Sequence, residues 1–200
     1  MRIKSHWFKD DKPKSAEQVA GAVAFIVWRV AQNALKRMRV AQFDIDPGPQ
    51  YFSFSSEFLV FLVMVADRIA YQRMEASERI AFTTALATRL GEILEDNQTD
   101  LLGPAVDRGY RSQFISLFNE RSPDYADFDY TAEGPDFGFL RYLGNRLLDI
   151  MVEKDQSWVV SQVMESEAPD AADMIRKSMA DLLETGPRPA RARRVRVSGD

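Results

Sequence analysis

Between its proline and glycine breaks, the chain repeats apolar residues every three or four positions rather than every two. That period belongs to helices with one buried face. The breaks are Asp46-Pro47-Gly48-Pro49, Gly103-Pro104, Gly134-Pro135, Ala168-Pro169 and Gly186-Pro187. Ser15 and Gln18 have capping-box spacing behind Pro13, which predicts a first helix over 16–40. Pro49 is placed to open a second, ending near Glu75. Ser77 is expected to cap a third, from Glu78 to about Glu95, and a fourth covers about Ala105 to Arg121. Asp136 leads a fifth to about Val152, and helices over Gln156–Glu167 and Pro169–Glu184 complete the set. No stretch alternates as a strand does, and no internal repeat is present. The expected fold is all-α: a single-domain bundle of six to seven helices over 1–186, including a basic segment over 1–14. A disordered arginine-rich tail is expected over 187–200.

The second helix contains the most apolar stretch, Tyr51 to Met74, yet it carries Glu57, Asp67 and Arg68. Its unbroken apolar run is only Phe58 to Ala66, well short of the roughly 20 residues a membrane span needs. At 100° per residue, Ser53, Ser56, Glu57, Asp67, Arg68 and Glu75 share one stripe with Val60, Met64 and Tyr71. Phenylalanine, leucine and other apolar residues cover the rest. Such a helix is expected at the centre of the bundle, with one narrow face reaching a cleft or solvent. Glu57, Asp67, Arg68 and Tyr71 on that face are either solvated or paired charges, or a small-ligand or enzymatic site. In the first helix Val19, Val23, Ile26, Val27, Val30, Ala34 and Met38 form the core face, and Phe25 and Trp28 fall off it. Those two aromatics are candidate partner-binding residues, unless the N-terminal segment with Trp7 and Phe8 covers them.

Composition removes most catalytic chemistry. There is no cysteine and a single histidine, His6, so thiol nucleophiles, Cys-ligated zinc and Glu-x-x-His di-iron sites are absent. No glycine-rich phosphate loop occurs, and no pair of carboxylates stands out for hydrolytic work. The segment Ser122 to Phe139 gathers Asp124, Asp127, Asp129, Glu133 and Asp136 among aromatics. Its spacing does not fit a calcium loop, because the twelfth position from Asp127 is Gly138. Its aromatics are expected to anchor a long connection while its acids stay wet, or attract a basic partner such as the chain's own arginines. No metal site and no cofactor are expected.

Charge is segregated along the chain. Residues 1–14 carry five cations against Asp10 and Asp11, and residues 187–200 carry Arg188, Arg191, Arg193, Arg194 and Arg196 against Asp200. With a whole-chain charge of −4, residues 15–186 must carry −11. The arginine run is a candidate polyanion or nucleic-acid binder, although the acidic body opposes that role and the run has no aromatic for base stacking. Asp10 and Asp11 argue against an export signal, which leaves an unprocessed cytoplasmic protein as the expectation. The residues Glu57, Ala66 to Tyr71, Asn119-Glu120-Arg121 and Asp124-Tyr125 resemble those of bacterial helical proteins, a resemblance that implies no activity. The expected function is non-enzymatic: binding to a protein partner, or to a second copy of the chain.

Overall fold

The Ser15–Gln18 box forms as expected. The Ser15 hydroxyl accepts from the Gln18 amide at 3.3 Å, and the Gln18 side chain accepts from the Ser15 amide at 3.1 Å. These bonds satisfy amides that a first turn leaves without helical partners. The helix they open, α1, runs Ala16–Val40. A computed structural model describes residues 14–183. Within them follow α2 (Pro49–Tyr71), α3 (Ala76–Leu102), α4 (Tyr110–Ala126), α5 (Phe137–Leu148), α6 (Glu153–Gln162) and α7 (Ala168–Leu183). A π-helical turn, Val163–Glu167, joins α6 to α7. The fold is an all-α helical bundle. The one strand pairing among the described residues is antiparallel, between β1 (Tyr130–Thr131) and β2 (Gly134–Pro135). His6, residues 1–13 of the basic segment over 1–14, and the arginine run Arg188–Arg196 lie outside the described residues. None of the described helices is long and apolar enough to cross a membrane.

Several boundaries depart from expectation for local reasons. Ser77 does not cap α3; Glu75 holds that position through its extended backbone, and Ser77 lies inside the helix. The polar run after Glu95 does not end α3. It continues to Leu102 and stops at Gly103, whose φ of 84° suits glycine and few other residues. α4 starts at Tyr110 and passes through Pro123. That proline removes one bond of the ladder, the one to the Asn119 carbonyl, only a turn before the helix ends. Much of the expected connection after Ser122 is therefore helix, leaving Asp127–Asp136 and its small hairpin. There Tyr125 and Phe139 are buried while Asp124, Asp127, Asp129 and Glu133 stay exposed. Asp136 instead caps α5, accepting from the Phe139 amide at 2.8 Å.

The break expected at Ala168-Pro169 is a change of helical register. Buried apolar positions run Val159, Val163, then Ala168, Ala171, Ala172, Ile175 and Met179. The five-residue step from Val163 to Ala168 coincides with the π turn, whose wider winding keeps both sets facing inward. Pro169, lacking an amide hydrogen, could not have joined a regular ladder at that point.

α2 packs against α1, α3, α4, α5 and α7. Phe54, Phe58, Leu59, Phe61 and Leu62 are sealed from solvent. The Phe61 ring lies 5.6 Å from that of Phe139 and 6.4 Å from that of Tyr125, tying α2 to α4 and α5. Replacing Phe61 with alanine should cost about 3–5 kcal/mol of unfolding free energy, measured by urea denaturation. A loss below about 1 kcal/mol would mean that the cluster is loosely packed.

Candidate functional site

The polar stripe of α2 does not reach water along most of its length. Glu57 and Asp67 are both buried, as are Val60 and Met64 between them. α3 and α4 cover the stripe and supply partners for its charges. Arg79 of α3 donates to both Asp67 oxygens, through Nε at 2.9 Å and through Nη2, and the Thr83 hydroxyl donates to Oδ1 at 2.7 Å. Arg121 of α4 donates through Nε to Glu57 Oε1 at 3.1 Å. Arg68 reaches the end of α4, where its Nη2 donates to the carbonyls of Tyr125, Ala126 and Phe128 at 2.8–3.1 Å. A guanidinium there satisfies carbonyls that the last helical turn leaves bare and complements the helix dipole. Tyr71 is exposed at the end of α2, with the Arg79 guanidinium 4.9 Å from its ring centre. Of the readings open for this face, the one with paired charges describes Glu57 and Asp67, which arginines from two neighbouring helices meet.

Burial raises the Glu57 carboxyl above its ordinary value of 4.5, against the bond and charge of Arg121 and the charge of Arg146. Burial by itself would lower Arg121, but the bond and charge of Glu57 and the bond to Glu120 raise it. The carboxylate is thus the member of the pair that titrates as the solution is acidified. Beside the pair, the fully buried Tyr125 hydroxyl has no hydrogen-bond partner. Burial first, and the nearby Glu57 charge second, raise it well above 10. Neutral and hemmed in by rings, it belongs to the packing of this layer.

The two aromatics of α1 part company. Phe25 is 43% exposed, with the Arg29 guanidinium 5.8 Å from its ring centre. Trp28 is half-buried and packed against the core. The two do not form a shared exposed patch.

A different surface has the makings of a site. At the end of α1, the Phe43 amide bonds to the Met38 carbonyl at 3.1 Å and the Gln42 amide to the Arg39 carbonyl at 3.0 Å. This paired closure puts the residue after the cap in the left-handed region, usually with glycine there. Here it is Gln42, at φ 69°, a conformation costing a side-chain-bearing residue about 1–2 kcal/mol. The turn projects Gln42 and Phe43 towards α6 and the π turn. Together with Asp155, Trp158, Ser161, Gln162, Glu165 and Ser166 they line a cleft of about 780 Å³. Trp158 is 69% exposed there, and the lining carries two carboxylates and no cation. Asp155 fixes the cleft wall by accepting from the Asp44 amide at 2.7 Å. Beneath it, Glu167 is buried and accepts from Arg37 at 2.8 Å and from Gln162 at 3.2 Å, locking the π turn to α1. Strained backbone and π turns concentrate at functional sites, and both meet at this one cleft.

Glu57, Asp67, Arg68 and Tyr71 contribute nothing to the cleft lining. Trp158 and Gln42 escaped sequence reasoning. A signal for Trp158 was present: Val159 and Val163, four apart, set the buried face of α6, and Trp158 lies about 100° off Val159. Gln42 had none, since its sequence offers no glycine or asparagine at the cap. No group of three or more metal-ligating side chains is placed to hold an ion among the described residues. Compared with protein-family models, with curated proteins and with solved structures, the chain matches none.

The raised Glu57 carboxyl has a definite pH signature. Its neutral form is favoured by folding, so its contribution to stability is full below the unfolded value and is lost as pH rises through the folded value. The unfolding free energy of the wild type minus that of Glu57→Gln should fall as pH is raised from below 4.5, then level off. Urea titrations across that window measure it. A difference that rises instead would mean that Arg121 outweighs burial.

Proposed function

We propose that this chain is a non-enzymatic binding protein of the bacterial cytoplasm that takes a protein partner at the Trp158 cleft. The observation carrying the proposal is Trp158 itself, a large side chain left 69% exposed at the mouth of a cleft. Exposed tryptophans cost solubility and contribute little to folding, yet they are among the residues that dominate binding energy at protein interfaces. The partner's chemistry follows from the lining. With Asp155 and Glu165 as its charges and Trp158 and Phe43 as its rings, the cleft suits an arginine- or lysine-bearing segment. A guanidinium can stack on the indole and pair with a carboxylate at the same time. The acidic balance of residues 15–186 would steer such a segment inward.

The alternative of a ligand site on the α2 stripe has little support, because those charges are consumed by Arg79, Thr83, Arg121 and the end of α4. Phe25 and Trp28 have less support as a partner surface, because Trp28 packs against the core.

Trp158→Ala should weaken partner capture by about 30-fold, the loss of one interface hot spot. Its unfolding free energy should change by no more than about 0.5 kcal/mol. Capture is read by immobilising the full chain and quantifying retained proteins against the variant. Equal retention by both would refute the cleft as the binding surface.

A further inference from the structure

The cleft needs a cationic segment, and the chain carries one of its own. We propose that the arginine run Arg188–Arg196 of one copy docks into the Trp158 cleft of a second copy, so that the chain associates through its own end. This inference rests on the cleft being a binding site for basic segments.

The chemistry is complementary. Five arginines fall within nine residues, Arg188, Arg191, Arg193, Arg194 and Arg196, and the run contains no acid. The cleft presents Asp155 and Glu165 beside Trp158 and Phe43 with no cation in its lining. Glu165 has no ion pair or hydrogen bond among the described residues, so its carboxylate is open to a guanidinium. Pro187 precedes the first arginine, and Pro189 and Ala190 separate it from the second; a proline-containing segment loses little backbone freedom when it is bound extended.

Geometry limits what the chain's own cleft can receive from the run. The cleft lies at the end of α1, where Arg37 holds Glu167 at the start of α7. The far end of α7 is elsewhere: Arg176, Lys177 and Asp181 line a separate hollow with Ile69 and Arg73 at the end of α2. The 16 residues of α7 span about 24 Å, so Leu183 stands at the opposite end of the bundle from the cleft. A fully extended chain covers about 17 Å from Leu183 to Arg188 and about 43 Å to Arg196. Within one copy Arg188 falls short of the cleft and Arg191 reaches it only on a fully extended connection, so the start of the run cannot engage there. Between copies the whole run is available, and a reciprocal exchange fills both clefts.

Sedimentation velocity on the full chain tests this, with three variants. The wild type should associate at micromolar concentration, and weaken at least about tenfold on moving from low to high salt, since the contacts are charge pairs at a surface. Glu165→Arg alone, and Arg193→Glu with Arg194→Glu, should each reduce association at least about tenfold. Combining all three restores complementary charge and should recover association, which a misfolded variant could not do. Wild type that stays monomeric at high micromolar concentration overturns the proposal. So does a tail variant that associates as the wild type does, or tail-dependent retention of duplex DNA without any self-association. Should self-association be absent while Trp158→Ala still loses partner capture, self-docking falls and the cleft reading stands. If capture is unaffected as well, both fall.

Discussion

The bundle depends on one constraint: a helix with three charged side chains along it is wrapped on every side. Burying an unpaired carboxylate or guanidinium costs several kcal/mol, so α2 can occupy the centre only if its neighbours bring counter-charges to defined places. α3 brings Arg79 and Thr83 to Asp67, α4 brings Arg121 to Glu57, and Arg68 in turn closes the last turn of α4. These contacts are directional where apolar packing is not. They fix the register of α3 and α4 on α2 and turn a generic hydrophobic helix into one that accepts a single arrangement of neighbours. They do not make α2 more stable than an all-apolar helix would be, and the raised Glu57 carboxyl records that burial opposes its charge.

With α2 committed to the interior, the irregularities of the chain gather at the periphery, in one place. The left-handed Gln42 at the end of α1 lies far along the chain from the exposed Trp158 and the register-shifting π turn that follows it. They are brought together by the Arg37–Glu167 bond and by Asp155 holding the Asp44 amide. The same two ties that finish the α1–α2 connection therefore build the walls of the cleft. A cleft tied in this way would lose little entropy on receiving the basic segment proposed for it.

Much of the architecture was legible in the residues. Apolar spacing and the proline–glycine breaks located every helix, and the Ser15–Gln18 box placed the start of α1 to the residue. What was not legible has a common physical cause. The proline-containing end of α4 is helical because of what it packs on: Tyr125 is sealed in the core, and that contact overrode a single proline. The stripe of α2 could be read as a stripe, but its partners Arg79 and Arg121 lie 12 and 64 residues away, and no spacing rule connects residues so distant in sequence. The cleft was invisible for the same reason, since its walls come from residues 41–43 and 155–166.

Native-state hydrogen exchange of the full chain tests most directly whether α2 is the buried, ion-paired centre on which the other helices are registered. Amides from Glu57 to Asp67 should exchange only through global unfolding, with the same free energy and denaturant dependence as the whole molecule. Exchange of that stretch through a local opening, faster than the protected amides of α1 and α3, would contradict it.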